Sequence, residues 1–222
     1  MNQDLWTSVD HFLTDTLVHP DQALNEAVRT NADAGLPAID VAPNQGKFLH
    51  LLARIHKAKR ILEVGTLGGY STIWLARALP PDGTLITLEL NPTHASVAAA
   101  NIKRAGLSSL VDLRVGSALE SLANLHAQKA APFDLIFLDA DKPNNPSYLE
   151  WAIKLSRPGT VIIGDNVIRD GAILDPNSSD PAVSGTRTFL ERFGDNPRLE
   201  ATALQTVGSK GYDGFAIALV IS

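Results

Sequence analysis

From residue 60 onward the chain alternates short β-type runs with helix-patterned segments. "RILEVG" (60–65) precedes "YSTIWLARAL" (70–79), "TLITLEL" (84–90) precedes "PTHASVAAANIKRAG" (92–106), and "VDLRVG" (111–116) precedes "SALESLANLHAQK" (117–129). "FDLIFLD" (133–139) precedes "PSYLEWAIKLS" (146–156), and "TVIIGD" (160–165) is followed, after a loop, by "AVSGTRTFLERFG" (182–194). Parallel strands need a crossover of a dozen or more residues, usually helical, so this spacing predicts βαβ units and a parallel sheet covered on both faces. Local punctuation agrees. "PPDG" (80–83) is a turn signal before a strand, Pro92 suits a first helical position, and Gly106 suits a helix C-terminus.

Both ends differ from this middle. Residues 1–58 hold about three helical segments, broken by "HPDQ" and by "NADAGLPAIDVAPNQG". The C-terminal "ATALQTVGSKGYDGFAIALVIS" has two β-type runs around a glycine-rich turn, which predicts an antiparallel hairpin. At 222 residues, 45% hydrophobic and 19% charged, the whole is expected to form one domain: an N-terminal helical segment (1–58) and a core (59–222).

Composition removes several function classes. A formal charge of −5 argues against general nucleic-acid binding, which needs a basic face. Without cysteine there are no disulfides, thiolate metal sites or thiol nucleophiles. The polar, acidic N-terminus carries no signal pattern and no apolar run reaches membrane length, so the expected location is the cytoplasm. The histidines show no ligand spacing, and no serine is paired with a histidine in a hydrolase arrangement.

Chemistry concentrates at the strand tips. "EVGTLGGYS" (63–71) joins the first strand to the first core helix. Gly65, Gly68 and Gly69 let backbone approach a ligand, or form only a tight turn. The spacing is not the G-x-G-x-x-G dinucleotide fingerprint, which weakens a nicotinamide-oxidoreductase reading. Glu89, at the next tip, stands where a ribose diol would be met, or is a solvated carboxylate. Asp139, Asp165 and Asn166 at two further tips offer three oxygen donors suited to a hard cation such as Mg²⁺; alternatively they cap turns. Lys142, three residues beyond Asp139, is a candidate base toward a hydroxyl, and Asp141 a supporting or solvated carboxylate.

Taken in order, "ILEVGTLGGYST", "LITLELNP", "VGSALE", "IFLDADK" and "IIGDNVI" resemble the cation-dependent class I O-methyltransferases, which include catechol and caffeoyl-coenzyme A O-methyltransferases. The resemblance covers roughly residues 38–222. It implies a Rossmann-like α/β fold with a seven-stranded, mostly parallel sheet, an antiparallel C-terminal hairpin and helices on both faces. It implies S-adenosylmethionine as cofactor, with Glu63, Gly65 and Ser71 at its amino-acid end, Glu89 at the ribose, Ala118 beside the adenine and Val41 closing over it, and with Asp139 also among the cofactor-binding residues. It implies a divalent cation (Mg²⁺ first, Mn²⁺ or Ca²⁺ as alternatives) on Asp139, Asp165 and Asn166, with Lys142 as base. Homodimers are common among such enzymes, with the N-terminal helices near the partner or the substrate.

The expected acceptor is a catechol-like phenol, because adjacent hydroxyls can chelate the cation. No compact basic cluster is present to hold coenzyme A phosphates. Tyr212 and Asp213, in "SKGYDG", are candidates for the substrate mouth. The alternative within methyl transfer is a hydroxylated uridine of tRNA, for which "KAKR" (57–60) and "IKR" (102–104) would have to form a basic patch.

Overall fold

The computed structural model describes residues 2–19 and 21–222. The predicted strands form as β1 (Arg60–Val64), β2 (Thr84–Glu89), β3 (Val111–Val115), β4 (Leu135–Leu138) and β5 (Val161–Asp165). The hairpin is β6 (Leu199–Gly208) and β7 (Gly211–Val220). All seven join one sheet in the order β3-β2-β1-β4-β5-β7-β6. The first five are parallel, and β7 runs antiparallel to both β5 and β6.

Side chains alternate across this sheet, and the two faces carry separate cores. Leu62, Val64, Ile136, Leu138 and Ile162 pack against α6 (Ala118–Ala127), α7 (Asn145–Lys154) and α8 (Pro181–Asp195) through Leu122, Leu149 and Phe189. Ile61, Leu85, Leu135, Phe137 and Ile163 face the other way. They meet α2 (Gln22–Asp33), α3 (Pro43–Ile55), α4 (Tyr70–Ala76) and α5 (Pro92–Arg104) through Leu24, Leu49, Ile73 and Ile102. Each fully buried side chain of this size contributes about 1.5–3 kcal/mol. Burial on both faces explains why these strands read as unbroken apolar runs.

Helix ends follow local chemistry. Asn91 Oδ1 accepts from Thr93 N at 2.8 Å and caps α5 ahead of Pro92, and Gly106 follows that helix at φ 74°. The 80–83 turn closes through Gly83 N to Pro80 O at 2.9 Å. Strand β4 begins two residues later than the apolar run suggested. Asp134, just before it, accepts at its carboxylate from Lys59 N, Arg60 N and Arg157 Nη2.

The N-terminal helices belong to the same body. Helix α1 (Gln3–Leu13) continues into a π-helical turn, Thr14–Val18. Gln3 Nε2 donates to Gly208 O at 2.9 Å, and Asp10 Oδ2 accepts from Ser209 N at 2.7 Å, so α1 is tied to the hairpin tip. The strand order reverses between β1 and β4. Loops leaving their carboxyl ends therefore diverge and open a crevice, where ligands gather in open α/β sheets.

Candidate functional site

That crevice is a cavity of about 550 Å³. Its floor is the loop 65–69, and one contact explains the glycine at its start. Gly65 sits at φ 99°, and a Cβ there would stand 2.2 Å from Asp139 O, so the β1 and β4 tips could not come together with any other residue. Gly68 is equally constrained, with Asn31 Oδ1 at 1.8 Å from its notional Cβ. Asn101 Nδ2 donates to both Gly68 O (2.9 Å) and Asn31 Oδ1 (3.1 Å), while Asn31 Nδ2 donates to Asp40 Oδ1 at 2.8 Å. This buried amide relay ties α2 and the 39–41 segment to the glycine loop.

Two glutamates shape the loop from beneath. Glu89 Oε2 accepts from Leu67 N (2.8 Å) and Thr66 N (3.2 Å), and its Oε1 from Asn91 N (2.9 Å). Glu89 also lines the cavity, where a diol could donate to its carboxylate. Glu63 differs from expectation: it does not line the cavity. It is fully buried behind Ser71, accepting from Ser71 Oγ (2.6 Å), Thr72 Oγ1 (2.5 Å) and Thr87 Oγ1 (2.7 Å). Burial outweighs those hydroxyls and pushes the Glu63 carboxyl up to about 7.

The β4 and β5 tips bring the oxygen donors together. Lys142 Nζ donates to Asp139 Oδ1 at 3.0 Å, and both line the large cavity with Asn166. Asp165 lines a second cavity of about 300 Å³, between α1, α3 and the hairpin. Asn166, at φ 52°, lines both. Asp165 Oδ2 accepts from Gln45 Nε2 of α3 at 2.6 Å, and Oδ1 from Asn166 N at 2.8 Å. Burial, then the nearby Asp139 charge, push the Asp165 carboxyl well above the usual carboxylate range.

Among the described residues no three His, Cys, Asp or Glu side chains cluster as a metal site. Asp139, Asp165 and Asn166 form a set of two carboxylates and one carboxamide. All-oxygen donors of this kind fit a hard divalent cation that keeps several waters. Two mutually repelling carboxylates are also what such a cation would stabilise.

Of the residues singled out from the sequence, Val41, Gly65, Ser71, Glu89, Ala118, Asp139, Lys142 and Asn166 line the large cavity. Tyr212 lines neither cavity and its hydroxyl donates to Gln205 on the hairpin. Asp213 borders the smaller cavity, and its Oδ1 accepts from Ile168 N, Arg169 N and Gly214 N at 2.9, 3.1 and 2.9 Å. It therefore braces the loop beyond Asn166. Asp141 is held by Tyr148 OH (2.5 Å) and Asn144 Nδ2 (2.6 Å), so it supports the turn that carries Lys142.

Sequence reasoning missed Gln45, Tyr148 and Arg169. Gln45 meets its partner across 120 positions, and a single polar residue near a helix start carries no spacing signal.

Comparison with known proteins points one way. A family model described as "O-methyltransferase" matches residues 14–219. The "Catechol O-methyltransferase" of Niastella koreensis is 57% identical over 220 residues, covering 99% of this chain and all of the relative. The protein of the same name from Mycobacterium tuberculosis is 53% identical over 212 residues, covering 96% of this chain and 94% of that one. A crystal structure of the O-methyltransferase from Bacillus cereus in complex with SAH superposes with a TM-score of 0.97 at 57% identity, covering 98% of this chain and 99% of that chain. The match spans the glycine loop, both carboxylate-bearing strand tips and the terminal hairpin, so the chain belongs to the O-methyltransferase family.

Proposed function

We propose that this protein moves a methyl group from S-adenosylmethionine to one hydroxyl of a vicinal dihydroxy aromatic molecule. A divalent cation, Mg²⁺ first, is held by Asp139, Asp165 and Asn166. The observation that carries the reading is the position of Asp139: it borders the cavity floored by the glycine loop, accepts from Lys142, and repels the buried Asp165. A cofactor cavity and a cation-shaped donor set thus share one wall. The names of the relatives from Niastella koreensis and Mycobacterium tuberculosis, and the SAH in the Bacillus cereus structure, support it.

The cofactor supplies an electrophilic methyl on a sulfonium sulfur. Glu89 takes the ribose hydroxyls, Ala118 lies beside the adenine, and Gly65, Ser71 and Val41 surround the amino-acid end, with Glu63 holding Ser71 from behind. The cation, when bound, acidifies and orients the two acceptor hydroxyls. Lys142 Nζ, within hydrogen-bond distance of Asp139, takes the proton of the reacting hydroxyl as the neutral amine, the form it can adopt once the Asp139 carboxylate is turned to the cation. The acceptor oxygen then attacks the methyl carbon in line with the departing sulfur, forming one O–C bond as the S–C bond breaks. Fixing the two partners along that line supplies much of the rate.

The N-terminal segment 1–58 completes the site: residues 39–41 line the large cavity and Gln45 touches Asp165. Exposed Leu5, Val9 and Phe12 form a stripe on α1 that supports a homodimer. The basic stretches a tRNA acceptor would need are partly spent within the fold. Lys59 pairs with Asp82, Arg60 lies over the Phe133 ring, and Arg104 donates to Asn101. Among the described residues no helix is long and apolar enough to cross a membrane.

Labelled S-adenosylmethionine tests the acceptor class. Transfer to caffeate is expected, with none to 4-hydroxycinnamate, which lacks the second hydroxyl. Equal labelling of both would contradict the vicinal requirement.

A further inference from the structure

Arg169 lines the large cavity, as do Asn166, Asp141 and Tyr148. Its Nε is buried without a hydrogen-bond partner, and among the described residues it enters no ion pair. Other arginines are used: Arg77 closes on Asp21, Arg157 on Asp134 and Arg192 on Glu150. The polar side chains that share this wall are already engaged by other partners. Lys142 is taken by Asp139, and Asp141 by Tyr148 and Asn144, while Asp170 is exposed. A half-buried guanidinium that lines a cavity and enters no ion pair is suited to receive an anion.

The backbone reinforces this. Arg169 and Asp170 both sit at φ 54°, a left-handed conformation unfavourable for non-glycine residues. Asp213 Oδ1 fixes the first of them by accepting its N–H at 3.1 Å. A short loop kept in that conformation, directly after a cation-donor candidate, gives the side chain a fixed place at the cavity wall.

Resting on the proposed methyl transfer, we infer that Arg169 binds a carboxylate carried by the acceptor, so that the substrate class is an acidic catechol and not a neutral one. A planar carboxylate matches the guanidinium fork with two parallel hydrogen bonds. The cofactor also has a carboxylate, but its amino-acid end belongs to the wall formed by Gly65, Ser71 and Val41, whereas Arg169 follows Asn166.

The test compares caffeate with its methyl ester, which keeps the diol and lacks the charge. Binding of each to the protein with SAH and Mg²⁺ is measured by calorimetry, alongside kcat/KM, for the wild type, Arg169→Gln and Arg169→Lys. The wild type is expected to bind caffeate at least about tenfold more tightly than the ester. Arg169→Gln removes that preference through weaker caffeate binding, leaving the ester and SAH affinities unchanged, and Arg169→Lys retains part of it. Loss of both acceptors together, a fall in SAH affinity, or no wild-type preference for the acid would overturn the assignment. Failure of the wild type to turn over either acceptor would instead sink the methyl-transfer reading, while the binding comparison would still decide the role of Arg169.

Discussion

Lys142 Nζ reaches back over the tip of β4 to donate to Asp139 Oδ1 at 3.0 Å, across three residues of sequence. The 3-10 turn Lys142–Asn144 makes the reversal, and α8 holds it in place: a Cβ on Gly185 would stand 2.3 Å from Lys142 O. One rigid corner therefore presents a carboxylate and an amine to the same cavity. Removing the amine should damage chemistry far more than binding. Lys142→Met is expected to lower kcat by about 10²–10⁴-fold, the usual worth of a positioned acid or base, with cofactor affinity kept. Single-turnover kinetics with labelled cofactor check this, and an unchanged kcat would remove Lys142 from the mechanism.

Glu63 gives the fold a pH signature. Its folded value of about 7 lies above the usual 4.5, so the folded protein holds a proton that the unfolded chain has released. The stabilisation from this group is complete below about pH 4.5 and is lost as pH rises to about 7. At about 1.4 kcal/mol per unit, the window is worth about 3 kcal/mol. Glu63→Gln should remove that slope, so urea midpoints at pH 5 and 7.5 should differ less than in the wild type. Parallel profiles would mean that Glu63 is ionised throughout.

Asp213 supports the loop after β5 from the neighbouring strand. Asp213→Ala strands the N–H groups of Ile168, Arg169 and Gly214, at about 1–3 kcal/mol of stability for a part-buried site. Because the loop starts at Asn166, Mg²⁺ affinity should fall as well. Denaturant midpoints and a Mg²⁺ titration monitored by calorimetry separate the two effects. Unchanged Mg²⁺ affinity would confine Asp213 to a structural role.

The fold was legible because burial on both sheet faces leaves a local mark: apolar runs, caps and turns recur in register from Arg60 to Asp165. The strand-tip residues Glu89, Asp139 and Asn166 could be found the same way, since carboxyl-terminal tips of parallel strands face the crevice. Glu63 was assigned to the cofactor's amino-acid end by family resemblance, which carries over a position but not what covers it; Ser71 and Thr72 stand between it and the cavity. Gln45, Arg169 and the brace from Asp213 depend on contacts between distant segments. A lone arginine without a partner leaves no pattern in sequence at all; its meaning appears only when its neighbours are found already paired.

The central claim, cation-assisted transfer on the Asp139, Asp165 and Asn166 wall, is tested most directly by following methyl transfer to caffeate with Mg²⁺, with excess chelator, and with Asp139→Ala. The account predicts product in the first case only, restored when Mg²⁺ is added back to the chelated wild type. Turnover that persists with chelator present would contradict it and leave those two strand tips a structural role.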